Sequence, residues 1–345
     1  MHKLLFFLLV TSLFAAGQNP AATTPASTKQ DKPLQALPYS PSFDVTSMDK
    51  SIDPCVDLYT YSCGGWMKNN PIPADQSSWS VYGKLYNDNQ QFLWGILDDL
   101  AKQTTGRNAN QQKIGDYFAA CMNESAVEKL GITPLQPQLD AISALKTKQD
   151  LAPLLAKEQM ENRTEGLLFN FGSNQDFANS NDVIAFADDG GLGLPDRDYY
   201  VKTDPKSAEQ RKQYIEHVTN MFQLLGDSPV IAQTEAAKVM EIETELAKAT
   251  LTLVDKRDPY KLFHKMDRAK LQALTPHFDW NVYLKTIGLP NVQVFNVTEP
   301  DFYKEVNNLI DTVSLDDWKT YLRWHVVHAN APYLSSKFVN ENFNF

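Results

Sequence analysis

The stretch DPCVDLYTYSCGGW (53–66) holds Cys55 and Cys63, and the only other cysteine is Cys121. Three thiols can serve as nucleophiles, metal ligands or disulfide halves, and an odd number cannot pair completely among themselves. They are too sparse for a structural zinc site. The histidines are His2, His217, His264, His277, His325 and His328, and none is followed by Glu. A zincin helix needs two His at i and i+4, so that both face one ion, with Glu beside the first as base. WHVVH (324–328) has i, i+3 spacing and no Glu, and His325 continues the stripe Trp318/Leu322/Ala329, so it reads as a core or capping histidine. No G-x-S-x-G elbow is present. The glycines of GGLGLPDRDYY (190–200) lack the Lys-Ser/Thr of a phosphate loop and the dinucleotide fingerprint, so they read as a tight turn leading into an aromatic packing segment. The carboxylate pairs Asp98-Asp99, Asp188-Asp189 and Asp316-Asp317 read as solvated turns or helix N-termini. These residues alone assign no catalytic and no metal-binding residue.

The elements that would carry them are mostly helical. Leu93, Ile96, Leu97 and Leu100 recur after Phe92 at three-and-four spacing, as do Ile114, Tyr117, Phe118 and Cys121. Thr133-Pro-Leu-Gln136 matches a capping box with Pro at the first helical position, starting a helix that turns Leu135, Leu139, Ile142 and Leu145 inward. Ser207-Ala-Glu-Gln210 repeats that signal ahead of Tyr214, Val218, Met221, Phe222 and Leu225, with Gly226 as the stop. Ser228-Pro229 opens a helix to about Ala249, another covers about 299–311, and the last begins at Ser314. GLLFNF (166–171) and DVIAFAD (182–188) read as a β-hairpin around the polar loop GSNQDFANSN.

Composition bounds the rest. The 345 residues are 43% hydrophobic and 21% charged, with a net charge of −10. No basic run occurs, which argues against a nucleic-acid partner. Met1-His2-Lys3, LLFFLLV (4–10) and the small residues up to Gly17 match a signal peptide over 1–17. The apolar run falls short of the roughly 20 residues that span a bilayer, so no membrane span is expected after cleavage; an uncleaved anchor is the alternative. Residues 18–42, rich in Pro, Ala, Thr, Ser and Gln, form an expected flexible linker. Export to a periplasmic or extracellular compartment favours disulfides. Asn123-Glu-Ser, Asn162-Arg-Thr and Asn296-Val-Thr fit the glycosylation pattern.

Five segments in order carry a resemblance. DPCVDLYTYSCGGWMKNNPIPADQSSW (53–79), GGLGLPDRDYY (190–200), RDPYKLFHKM (257–266), FDWNVYL (278–284) and WKTYLRWHVVHANAPYLSSKFVNENFNF (318–345) together resemble the neprilysin and endothelin-converting enzyme family of zinc metalloendopeptidases. The match covers about 43–345. It implies a mainly α fold: a truncated N-terminal helical cap domain with a small β-hairpin insert, incomplete without a C-terminal thermolysin-like catalytic domain. That domain is the implied partner, and peptides are the implied substrates, restricted in size by the cap. The resemblance implies zinc in the full-length protein, on an HExxH helix and a later glutamate that no position of 1–345 matches. It also implies that Cys55, Cys63 and Cys121 form disulfides with the absent half. Mammalian relatives contact substrate through an arginine after the IP of the NNPIP-like segment, and residues 72–86 contain no Arg. The expected function is therefore the non-catalytic N-terminal portion of an exported peptidase. The alternative is a complete secreted helical binding or scaffold protein derived from such a cap.

Overall fold

The computed structural model describes residues 32–345 except 40, 42, 75 and 162–166. The expected signal peptide, most of the expected linker and Asn162 lie outside the described residues. Two compact units are distinguished, Met1–Asn123 and Glu124–Phe345. Among the described residues no helix is long and apolar enough to cross a membrane.

The first unit contains α1 (Leu58–Asn69), α2 (Val81–Lys102) and α3 (Ala109–Cys121). Each start is specified locally. Asp57 accepts from Thr60 N, Ser80 from Gly83 N, and Asn108 forms a capping box with Gln111. Packing is another matter. The only buried residues described in this unit are Gly64, Gly95 and Gly115. The expected apolar faces of α2 and α3 form, yet Leu93, Ile96, Ile114 and Tyr117 on them are exposed.

The second unit holds the core, which runs from Leu135 to Phe338. Its helices are α4 (Glu124–Leu130), α5 (Gln136–Ser143), α6 (Leu151–Glu161), α7 (Arg197–Val201), α8 (Pro205–Leu224), α9 (Pro229–Ala249), α10 (Arg268–Leu274), α11 (Trp280–Thr286), α12 (Pro300–Thr312), α13 (Leu315–Asn330) and α14 (Ser336–Asn344). The chain is mainly helical as expected, and α9 packs against α7, α8, α12 and α13. Tyr214, Val218, Met221 and Phe222 line the buried side of α8, and Gly226 ends it with φ +105°.

Several local expectations are corrected. Thr133 makes no cap: Thr133–Leu135 is a 3-10 turn, and α5 follows directly. Helix α8 starts before Ser207, because Asp204 with Pro205 behind it is the stronger start. Asp204 accepts from Ser207 N at 3.1 Å and Ser207 Oγ at 2.6 Å. A further helix, α14, follows the one capped by Ser314.

The hairpin is real but shifted, with β1 at Asn170–Asp176 and β2 at Asn179–Asp188. Most of the expected polar loop is strand, because the ladder is held by backbone groups that polar side chains do not disturb. Nor is the hairpin alone. With β3 (Lys265–Asp267) and β4 (Val294–Val297) it forms a sheet of order β1-β2-β4-β3, in which β2 and β4 run parallel with Ala187 opposite Val297. Four and three residues are too short for periodicity to reveal. Asn296 sits fully buried in β4, donating to Leu262 O and accepting from His264 N. In the folded chain it is no glycan acceptor. Inside the sheet's end, Phe169 meets Phe278, Trp280, Tyr283 and Tyr303 at 5.4–5.8 Å between ring centroids.

Candidate functional site

The second unit contains a cavity of about 920 Å³. One wall is the glycine-rich segment 189–197, the opposite wall comes from Thr250, Leu251, Leu253 and Lys256, and His325 and His328 of α13 complete it. The glycine segment owes its path to the helices behind it. Gly191 has φ +70°, and a Cβ there would fall 2.2 Å from Tyr321 Oη. Tyr321 Oη lies 2.8 Å from the carbonyls of both Leu167 and Gly191, which compete for its single proton. The reading of this segment as a turn into aromatic packing holds, and the same turn lines the cavity.

Behind that wall lies a buried carboxylate, Glu243 of α9, with no exposed surface. Tyr200 Oη donates to it at 2.8 Å and Tyr214 Oη at 2.8 Å, while Trp324 Nε1 donates to Tyr214 Oη at 2.8 Å. Burial, then the charge of Glu243, pushes both tyrosine hydroxyls well above their ordinary pKa. His325 Nε2 lies 3.1 Å from Glu243 Oε1, without hydrogen-bond alignment. Its expected place in the core is thus correct. Beside it, His328 stacks on Trp324 at 4.9 Å. Burial first, then neighbouring His325, lowers its pKa to about 4. His217 on α8 faces a different carboxylate, Glu341, at 3.0 Å, and burial holds its pKa below the usual value.

A second polar cluster ties the two walls. Lys256 Nζ is 2.5 Å from Asp189 Oδ2 and 3.0 Å from Glu299 Oε1. Leu251 N donates to Glu299 Oε2 at 2.5 Å. Glu299 is 3% exposed. Burial, then the Asp189 carboxylate, raises its pKa to about 7. The expectation that Asp188-Asp189 is a solvated turn is therefore corrected: burial raises the Asp188 carboxyl as well. Asp316 and Asp317 are in the first turn of α13 as expected, but Asp98-Asp99 is neither a turn nor a helix N-terminus: it lies near the C-terminal end of α2, where Lys102 pairs with Asp98.

These groups can hold and exchange protons, but they do not fit zinc. His325 and His217 each face a separate carboxylate, and the imidazoles of His217 and His328 are 6.4 Å apart between centroids. Among the described residues no group of three or more His, Cys, Asp and Glu is placed to hold a metal ion. The structure keeps the three cysteines, all in the first unit, as free thiols. Cys55 and Cys121 are exposed and Cys63 half-buried. The structure does not bring them into the cavity, which belongs to the second unit. Sequence reasoning passed over Glu243, Lys256 and Glu299. Glu243 had a signal: it shares the helical face of Val239, Ile242, Leu246 and Ala247, where an acid needs buried partners.

The sequence pattern of peptidase family M13 matches residues 54–345. Endothelin-converting enzyme 1 of Homo sapiens is 29% identical over 314 residues, which cover 87% of this chain and 40% of the human protein. Neprilysin-3 of Drosophila melanogaster is 28% identical over 319 residues, with the same two shares. The crystal structure of the Mycobacterium tuberculosis zinc metalloprotease Zmp1 in complex with an inhibitor has a TM-score of 0.78 at 27% identity, over 88% of this chain and 46% of that one. The chain thus spans less than half the length of the relatives it matches.

Proposed function

The chain belongs to peptidase family M13, and we propose that it is the N-terminal, non-catalytic portion of an exported zinc metalloendopeptidase. In this reading it supplies a helical cap that admits peptides by size. Zinc and its HExxH ligands belong to a C-terminal catalytic domain, and Cys55, Cys63 and Cys121 form disulfides with that domain. The leader over residues 1–17 directs export to the periplasm or the cell exterior.

The observation that carries this reading is coverage: the family match takes in most of this chain but only 40–46% of the relatives. The first unit supports it. Three helices there bury no side chain larger than hydrogen while Val56, Tyr82 and Tyr117 are 83%, 85% and 75% exposed. Apolar surface of this extent marks a face that another protein surface covers.

The purified chain should show no chelator-sensitive peptide cleavage, and alkylation under native conditions should modify Cys55 and Cys121 quickly and Cys63 more slowly. In the protein isolated from its source, the same three thiols should be unreactive until reduction, and the mass should be about twice that of this chain. A native mass equal to that of the leader-free chain, with thiols still free, would instead make it a secreted binding protein.

A further inference from the structure

We propose that the cavity of about 920 Å³ binds the C-terminal carboxylate of a peptide, with Arg197 as the residue that holds it. Arg197 lines the cavity and is half-buried. Its Nε donates to Ala247 O at 3.3 Å, and Thr250 Oγ1 donates to the same carbonyl at 3.0 Å. That bond uses one of the five N–H donors of the guanidinium. The charges around it are engaged elsewhere. Asp196 accepts from Asp198 N at 2.7 Å, Asp198 pairs with Lys202 at 2.9 Å, and Lys256 pairs with Asp189 and Glu299. Among the described residues that line the cavity, Arg197 is thus the one lysine or arginine without a carboxylate partner. A guanidinium taken partly out of water without a counter-charge is costly. The ligand that offsets this cost is a carboxylate lying on its planar fork.

The rest of the lining fits a chain end. Leu194, Pro195, Leu251 and Leu253 supply apolar surface for the side chain beside the carboxylate. In the glycine-rich wall, Leu192 N and Gly193 N find no acceptor among the described residues, which leaves two donors for the carbonyls of a ligand. The charge balance selects the class of anion. Asp189 and Asp196 already offset Lys256 and Arg197, and Glu243 lies behind the wall. Such a site accepts one further negative charge more readily than the roughly two of a phosphate group. That the carboxylate belongs to a peptide rests on the peptidase reading above; that the site takes a carboxylate rests on the cavity alone.

Calorimetric titration of the whole chain with N-acetyl-dileucine and with its C-terminal amide tests this. The acid should bind, and the amide should bind more weakly by about tenfold to a hundredfold, the worth of a hydrogen bond to a charged group. Arg197→Gln should weaken the acid by the same factor and leave the amide unchanged, and Arg197→Lys, which keeps the charge but not the fork, should fall between. If the variants do not fold, the contrast of acid and amide on the unaltered chain decides alone. N-acetyl-leucyl-glutamic diamide, whose only carboxylate is on the side chain, should bind more weakly than the dileucine acid. No binding of the acid, equal affinities for acid and amide, equal binding of the diamide, or displacement of the acid by less inorganic phosphate than acetate overturns the proposal. The mass of the native protein tests the peptidase reading separately. A protein of leader-free mass that still binds the acid through Arg197 keeps this site and loses that reading.

Discussion

Replacing Gly191 with alanine tests how the glycine-rich wall is held. Two separate costs arise. At φ +70° an L-residue loses about 1–2 kcal/mol. The new Cβ would also lie 2.2 Å from Tyr321 Oη and 2.8 Å from Leu168 O. Forcing such an overlap costs about 1–3 kcal/mol. If Tyr321 is displaced from the carbonyls of Leu167 and Gly191, a buried hydroxyl loses its acceptors, for about 1–3 kcal/mol more. The sum is about 3–8 kcal/mol. At roughly 2–4 °C per kcal/mol for a body of this size, Tm falls by on the order of 10 °C or more, read by near-ultraviolet circular dichroism. Gly226→Ala supplies the control: its φ is +105° but nothing lies within 4 Å of its Cβ, so strain acts alone. In a Tyr321→Phe background the Gly191→Ala increment should shrink by the part owed to the hydroxyl and keep the part owed to Leu168 O. Equal Tm losses for the two alanine variants would refute the claim that close approach, rather than backbone conformation, makes this glycine necessary.

Three further outcomes follow from the same geometry. Glu243→Ala leaves Tyr200 and Tyr214 without their acceptor and should cost about 3–5 kcal/mol in urea unfolding, whereas Glu243→Gln keeps an acceptor oxygen and should cost visibly less; equal losses would contradict the network. His328, whose pKa is lowered from 6.5 to about 4, must stay neutral in the fold, so its contribution is complete above pH 6.5 and is lost as pH falls toward 4, by at most about 3 kcal/mol. Urea midpoints of His328→Phe should accordingly fall less steeply between pH 6.5 and 4, and parallel curves would count against it. Hydrogen exchange should find the amides of α1 and α3 orders of magnitude less protected than those of α8, α9 and α13 in the isolated chain, and comparable protection in both units would show that the first unit is stable as it stands.

How far the sequence was legible depended on the range of the interaction behind each signal. Ser228-Pro229 and Ser314 marked the starts of α9 and α13 because a cap is a bond between residues three apart. Ser207 failed because several residues near a helix start can cap, and Pro205 beside Asp204 outweighed the pattern there; Thr133 instead heads a 3-10 turn, and neither that turn nor α5 has a side-chain cap. The sheet was half visible. The apolar end of β2, Ala185–Ala187, is buried, but β3 and β4 exist only through pairing with segments distant in the chain. The site was the least legible part. Glu299, Lys256 and Asp189 come from three separate connections, so no local spacing predicts that their charges meet. His325 was placed in the core correctly, but its partner Glu243 could be named only once α9 and α13 were seen to pack.

The two units expose a difference between specifying a helix and stabilising one. In the first unit α1, α2 and α3 all have side-chain caps, and α3 has the full reciprocal box. A cap contributes about 1 kcal/mol, while helices of 12 and 13 residues such as α1 and α3 are marginal alone in water. The second unit resolves that deficit by burying Tyr214, Phe222, Trp318 and Trp324 completely, each worth about 1.5–3 kcal/mol or more of transfer free energy. The first unit only half-buries its large side chains, such as Trp66, Phe92, Trp94 and Phe118, and is fully buried just where glycines let backbones touch, as at Gly95, whose Cβ would fall 2.3 Å from Leu34 O. Such contacts fix geometry but remove little apolar area from water. In the proposed reading, the tyrosines and valines that these capped helices leave in solvent are the side chains that the C-terminal domain covers. Cys55 and Cys121 are exposed thiols of the same unit, and the proposed disulfides to that domain would use them.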